Sequence, residues 1–217
     1  LVRSRGLGDV YKRQDKASYR KLVADLYFVY SAMEEEISKL TDHPVVGPVA
    51  MAQLNRREAL EQDLTFYFGD SWKEDIQPSP SAAAYVERIH AVAKDSPELL
   101  VGHHYTRYLG DLSGGQILKN IAQKAMNMDG DDGLRFYVFD DIADEKAFKT
   151  NYRSTMDELP IDQATADRIV EEANHAFHLN MNMFKELEGN LVAAIGKVLF
   201  GFLTRRQRAG STEAVAA

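Results

Sequence analysis

The sequence contains no cysteine, and this absence excludes disulfides, thiolate nucleophiles, iron–sulfur clusters and cysteine-ligated zinc sites. Any metal bound by side chains must therefore be held by the six histidines or by carboxylates. The chain also lacks an excess of positive charge, because 26 basic residues face 33 acidic residues and leave a net charge of −7. Such a balance disfavours nucleic acid as a partner. A chain without disulfides fits a reducing compartment, and we expect a cytoplasmic protein.

Long apolar runs are also missing. The strongest apolar segment, residues 191–203, is interrupted by Lys197, whereas a membrane-spanning helix needs about 20 apolar residues. The sequence therefore predicts no membrane span. Residues 1–15 carry basic residues and glycines without apolar periodicity, so they predict neither a signal peptide nor a regular helix, and we interpret them as an atypical, non-native start. Residues 16–203 are predicted to form one domain and residues 204–217 a disordered tail.

Apolar residues recur at three- and four-residue spacing in several segments, a pattern that is typical of amphipathic helices. Tyr30 belongs to such a stripe in the first helix. No segment alternates convincingly at period two, so the fold is predicted to be all-α. Ser96 is expected to cap the fourth helix with its hydroxyl. The predicted helices cover residues 16–40, 53–68, 80–94, 96–127, 144–156 and 162–189.

The predicted helix over residues 96–127 is unusually rich in glycine, and each interior glycine costs about 1 kcal/mol relative to alanine. Its glycines are Gly102, Gly110, Gly114 and Gly115. Gly110 and Gly114 lie one turn apart and form a stripe almost without side chains. Two interpretations stay open: another helix packs closely on the stripe, or a flat ligand reaches the backbone there.

Arg107 and Asp111 lie one helical turn apart beside this stripe. The plain interpretation is an exposed ion pair worth a few tenths of a kcal/mol. The alternative places Asp111 at the mouth of a glycine-walled pocket, where a carboxylate held by Arg107 orders water and relays protons.

The run from Leu99 to Gln116, which contains Gly-Asp-Leu-Ser-Gly-Gly at residues 110–115, resembles the distal-helix signature of haem oxygenases. Further segments that resemble this family are residues 26–36, 59–64, 147–153 and 171–177. The resemblance extends over about residues 16–208. It is strongest to the soluble cyanobacterial and algal-plastid branch, which implies the cytoplasm or, in an alga, the plastid stroma.

This resemblance implies an all-α fold that holds haem between a proximal helix and a kinked distal helix. Haem would serve as substrate and prosthetic group, and dioxygen and an external electron donor would complete the reaction. The reaction cleaves haem at the α-meso carbon and releases biliverdin, carbon monoxide and ferrous iron. By the same resemblance Asp111 anchors the distal water network and Arg107 holds its carboxylate.

The resemblance also assigns residues that contact haem. Gly110, Gly114 and Gly115 would let the macrocycle lie against the helix backbone. The residues matching positions that grip the propionates are Tyr105, Lys149 and Arg153, although the two cations also fit a solvated basic face. The residues matching pocket-lining positions are Phe177, Asn180 and Phe184, which by pattern alone also fit ordinary core.

The match fails at the iron ligand. In the family a histidine on the first helix binds the iron, and its counterpart would fall at or before Leu1, so no metal ligand is assigned among the six histidines. We therefore expect this polypeptide to be impaired as an oxygenase. A non-catalytic haem carrier is one alternative. A di-iron bundle is another, suggested by the Glu-x-x-His pairs Glu87–His90 and Glu172–His175, but the first pair lies on the polar side of its helix.

The resemblance to the cyanobacterial branch implies ferredoxin, a small acidic protein, as the electron donor. A local basic patch could receive it in spite of the acidic total charge. The predicted patch comprises Arg107, Lys119, Lys124, Lys149 and Arg153.

Overall fold

The computed structural model describes residues 2–187 and residues 194, 195 and 197, with side chains from residue 14 onward. Its regular structure within these residues is entirely helical, which confirms the all-α prediction. The α-helices are α1 Val2–Ser38, α2 Arg57–Phe68, α3 Trp72–Asp75, α4 Pro80–Asp95, α5 Leu100–His104, α6 Gly110–Met126, α7 Glu145–Asp157 and α8 Gln163–Glu186. The predicted tail over residues 204–217 lies outside the described residues.

Helix α1 begins at Val2, so the expectation that residues 1–15 form no regular helix is wrong. Once a helix is nucleated, each added residue gains one hydrogen bond at little cost. The amphipathic part that begins at Lys16 supplies such a nucleus, and the helix therefore continues into the polar start without a stripe of its own. That these residues are non-native remains a prediction.

The core forms around α1, which packs on α2 and α4, while α8 packs on α4 and α5. One side of α1 is buried along its length, and the predicted apolar stripe is the side that faces these helices. Its innermost residues are Tyr19, Leu22, Val23, Val29, Tyr30 and Met33. No helix among the described residues is long and apolar enough to cross a membrane.

Several helix ends differ from the predicted ones because other partners compete for the capping groups. The predicted cap at Ser96 is wrong: its side chain makes no capping bond, and its Oγ accepts a hydrogen bond from Arg168 Nη2 at 2.9 Å. Asp144 and Asp162 cap α7 and α8 through backbone N–H groups of the first turn. Helix α2 begins at Arg57 rather than residue 53, since Asn55 is extended.

The glycine-rich segment is a continuous helical rod that changes type along its length. After a 3₁₀ turn over Pro97–Leu99 come α5, a π-helical segment over Tyr105–Leu109, and α6. A Cβ at Gly102 would lie 2.7 Å from Ile169 O and 2.9 Å from Ala173 N, so α8 packs directly on this glycine. A Cβ at Gly110 would meet nothing within 4 Å. Close packing thus explains Gly102, and open space lies beside Gly110.

Replacement of these two glycines by alanine is expected to have opposite effects on stability. Gly102→Ala forces two backbones apart and should lower the free energy of unfolding by about 1–3 kcal/mol. Gly110→Ala adds a methyl group to open space inside a helix and should leave stability unchanged or raise it by up to about 1 kcal/mol. Urea denaturation followed by circular dichroism measures both. Equal losses in the two variants would contradict the packing difference.

Candidate functional site

A buried polar cluster lies where the π-helical segment joins α6. Arg107 and Asp111 are each only 4% exposed, and Arg107 Nη2 lies 3.7 Å from Asp111 Oδ1. The interpretation as an exposed pair is therefore wrong. An enclosed charge must be compensated within the protein, because transfer from water costs several kcal/mol per ion.

Two further side chains complete this cluster from other helices. The Tyr30 hydroxyl of α1 donates to Asp111 Oδ2, and Arg107 Nε donates to the Tyr30 oxygen at 3.0 Å. Arg107 Nη1 donates to Asn180 Oδ1 of α8. Sequence reasoning placed Asn180 in the pocket but treated Tyr30 only as a member of an apolar stripe. The one signal was its hydroxyl, which a buried tyrosine normally satisfies with a partner.

Burial sets the protonation of the cluster. It raises the pKa of Asp111 above its usual value, although Arg107 and Tyr30 oppose this shift. Burial also raises the pKa of Tyr30 well above 10. For Arg107 the penalty of burial is outweighed by Tyr30 and Asp111, and its pKa is raised. Tyr30 and Arg107 therefore keep their protons at neutral pH, whereas the pKa of the Asp111 carboxyl moves toward neutrality.

The glycines of α6 present unequal surfaces next to this cluster. Gly110 is half-buried with open space at its Cβ position, and Gly114 is buried. A Cβ at Gly115 would make ordinary contact with the Tyr137 ring, 3.7 Å from its Cδ1. Open backbone is thus found at Gly110, directly before Asp111.

A 3₁₀ turn over Arg135–Tyr137 supports the back of the cluster. Phe136 packs edge-on against the Tyr30 ring at 5.4 Å between centroids. The buried Asp63 carboxylate holds this turn by accepting from the backbone N–H groups of Arg135 at 2.7 Å and Phe136 at 2.9 Å. Burial raises the pKa of Asp63 to about 7, although these hydrogen bonds favour its charged form.

The predicted propionate group lies beside the π-helical segment. Tyr105 is half-buried, and its ring centroid lies 6.5 Å from that of Tyr152 in α7. Lys149 and Arg153 flank Tyr152 on the same helix. Lys149 Nζ lies 3.8 Å from Glu145 Oε2, and Arg153 is exposed. The structure therefore brings α7 and its two cations next to Tyr105.

The remaining predicted residues lie on α8. Asn180 and Phe184 are buried, and Phe177 is half-buried. Asn180 bonds to Arg107, so this part of α8 faces the polar cluster. Phe184 belongs to the main hydrophobic core.

The six histidines have separate surroundings. His43, His90, His103, His104 and His178 each place a ring nitrogen within hydrogen-bond distance of another protein group. His175 is exposed on α8. In the part of the chain with described side chains, no group of three or more histidines and carboxylates could hold a metal.

The contacts of Glu172 oppose the di-iron alternative. Its carboxylate accepts from Arg88 and lies 2.8 Å from His103 Nε2, so it is already fully engaged by protein groups. Glu87, the other candidate carboxylate, is exposed. The geometry that a di-iron bundle requires is therefore not formed by these pairs.

The predicted basic patch needs one correction. Arg107 is buried in the cluster and cannot belong to a docking surface. Lys119 Nζ is paired with Asp131 Oδ1 at 2.5 Å, which reduces its contribution to the surface charge. Lys124 and Arg153 are exposed.

Comparison with known proteins gives consistent matches. The family model described as Heme oxygenase matches residues 7–186. Heme oxygenase 1 of Nostoc sp. is 61% identical over 199 residues, covering 92% of this chain and 84% of the relative. Heme oxygenase 1 of Synechocystis sp. is also 61% identical over 199 residues, covering 92% of this chain and 82% of the relative.

A solved structure of heme oxygenase-1 from Synechocystis sp. in complex with heme superposes with a TM-score of 0.78 at 56% identity, covering 93% of this chain and 94% of that one. The fold and site are those of an all-α protein whose glycine-rich helix joins a buried carboxylate to an open backbone surface. The chain belongs to the haem oxygenase family.

The Arg107–Asp111 pair should show strong energetic coupling because it is enclosed. Asp111→Asn leaves the Arg107 charge buried without its counter-ion and should lower the free energy of unfolding by about 3 kcal/mol. Adding Arg107→Met should cost less than the sum of the single changes, with a coupling of about 1–3 kcal/mol.

The matched control is the surface pair Arg57–Glu61, which has the same four-residue spacing and a separation of 3.3 Å. Its coupling should be about 0.3–0.5 kcal/mol. Urea denaturation of both sets of variants gives the two couplings. Equal values for the enclosed pair and the surface pair would refute the role of burial.

Proposed function

We propose that this chain binds haem against Gly110 and cleaves it at the α-meso carbon to biliverdin, carbon monoxide and ferrous iron. Dioxygen and an external electron donor complete the reaction. The observation that carries the proposal is the Asp111 carboxylate, held by Tyr30 and Arg107 directly beside the open backbone of Gly110. The family membership of the chain supports the same activity.

The residues present fit one face of haem. A flat macrocycle can lie against a helix only where side chains are absent, and Gly110 offers such a surface. The Tyr85 hydroxyl is buried without a hydrogen-bond partner. Its pKa responds to Arg107 and Asp111, which indicates that it lies near the cluster and can help to hold a water there.

Haem, when bound, supplies the iron that takes up dioxygen and the carbon that is oxidised. Asp111 accepts a hydrogen bond from a water on the haem side and delivers a proton through it. Tyr30 and Arg107 fix the direction of the carboxylate, since both donate within the cluster. Delivery through a water keeps the acid away from direct contact with the reacting oxygen.

The other predicted residues hold the rim of the macrocycle. Lys149 and Arg153 form charge-assisted hydrogen bonds with the propionates, and Tyr105 adds a hydroxyl. Gly114 and Gly115 continue the surface that begins at Gly110. Phe177 and Phe184 line the pocket from α8 beside Asn180. The haem-binding domain comprises residues 16–203.

The proximal face fits less well. Five of the six histidines already contact another group through a ring nitrogen, and His175 is exposed, so none is assigned as the iron ligand. We infer that turnover by this polypeptide is impaired for want of an axial ligand, which sets the electronic properties of haem iron. Free imidazole offers the same donor nitrogen.

The decisive experiment gives the full chain haem, reductant and oxygen, with and without imidazole. Biliverdin absorbance and carbon monoxide release should appear and should increase with imidazole. Asp111→Asn should lower the rate at least about tenfold because it removes the proton-delivering carboxylate. Glu61→Gln makes the same carboxylate-to-amide change on the surface and serves as the control.

A stable Soret band without biliverdin, even with imidazole, would refute the oxygenase and favour the non-catalytic carrier. Absence of any Soret shift would refute haem binding itself.

The electron donor that the proposal favours is ferredoxin, an acidic protein, and the chain is placed in the cytoplasm or a plastid stroma. Lys124 is an exposed cation on α6, the helix that carries Asp111. Lys124→Glu should lower kcat/KM for ferredoxin about two- to tenfold at low salt and flatten its ionic-strength dependence.

Lys94→Glu is the matched control, because it reverses an exposed charge on α4. Steady-state rates over a salt series measure both variants. If both lose the same rate, net charge rather than a docking surface is responsible.

A further inference from the structure

His104, at the end of α5, is one of the most enclosed polar residues of the protein, and the proposed reaction does not use it. It is 2% exposed, and its Nδ1 lies 2.7 Å from the Tyr152 hydroxyl of α7. The two rings are nearly parallel, with 8° between their planes and 5.6 Å between their centroids. The contact therefore combines a hydrogen bond with ring stacking across two helices.

Burial lowers the pKa of His104 to about 3. The imidazole is therefore neutral at physiological pH, and the contact with Tyr152 joins two uncharged groups. A neutral hydrogen bond contributes modestly by itself, but the loss of one partner leaves the other buried and unsatisfied. The pair is thus costly to break from either side.

The other face of His104 is fixed to the centre of the molecule. Its ring lies 4.4 Å from that of Tyr108 in the π-helical segment. The Tyr108 hydroxyl donates to Glu34 Oε1 of α1 at 3.1 Å. Glu34 in turn accepts from the backbone N–H groups of Arg56 and Arg57. A continuous chain of contacts thus runs from α1 through His104 to Tyr152.

Tyr152 is the main attachment of α7. It is the one residue of this helix that is buried, while the rest of Glu145–Asp157 is half-buried or exposed. A helix with one buried side chain takes its position from that side chain. Lys149 precedes Tyr152 by about one turn, and Arg153 follows it directly, so their positions depend on the same anchor.

We propose that His104 is a positioning residue that, through Tyr152, fixes α7 so that Lys149 and Arg153 hold the two carboxylates of haem. The inference rests on the proposed function, since it assigns haem as the ligand of these cations. His104 itself touches neither haem nor the reacting atoms.

The first test needs no haem and uses the full-length ligand-free chain. Tyr152→Phe removes only the hydroxyl and should accelerate amide hydrogen exchange in Glu145–Asp157 without affecting α8. Tyr67→Phe is the matched control, because the Tyr67 hydroxyl donates to Gly133 O at 3.1 Å away from α7. Unchanged exchange in α7 would overturn the proposed anchor.

The second test measures haem affinity by Soret titration in wild type, Tyr152→Phe, His104→Phe and the double variant. Each single change should weaken haem binding about fivefold, which corresponds to the loss of one hydrogen bond. The double variant should be no weaker than either single variant, because all three lack the same contact. Additive losses would contradict a shared anchor.

The same titrations with haem dimethyl ester separate positioning from general damage. The ester lacks free carboxylates, so wild type and variants should bind it equally. An equal loss with haem and its ester would overturn the proposal, since the effect would not pass through Lys149 and Arg153. If wild type binds neither form, the proposed function fails, whereas the exchange experiment still decides whether His104 anchors α7.

Discussion

Arg107 carries a positive charge that the fold encloses, and much of the molecule is arranged to compensate it. The compensation comes from Asp111 one turn along the same rod, Tyr30 of α1 and Asn180 of α8. These three partners lie on different helices, so the charge is satisfied only when all of them pack correctly. A buried pair of this kind costs several kcal/mol to break by removal of one member. The catalytic carboxylate of the proposed reaction is therefore also a structural requirement.

Much of the helical architecture could be predicted from the sequence because it depends on local periodicity. The positions of α4, α7 and α8 follow their apolar stripes to within about three residues at the described ends. Helix ends were harder. Ser96 has a suitable side chain for a cap, but Arg168, from a distant part of the chain, engages its hydroxyl. A partner so far away in sequence leaves no local signal.

The site shows the same limit more sharply. The four-residue spacing of Arg107 and Asp111 is identical to that of the exposed pair Arg57 and Glu61, and only tertiary packing separates their burial. Gly102 and Gly110 likewise share one residue type, yet only Gly102 meets the backbone of α8. The motif located the site, whereas the partners of each residue required the folded chain. Tyr30 is one such partner.

The π-helical segment over Tyr105–Leu109 has a consequence for how this protein can change by insertion or deletion. A π turn amounts to an α-helix with one additional residue. Loss of a single residue there would restore ordinary α-helical phase and rotate everything that follows by about 100° relative to Gly102. The open surface of Gly110 and the carboxylate of Asp111 would then turn away from α1 and α8 together. The length of this segment is thus a stricter constraint than the identity of most of its side chains.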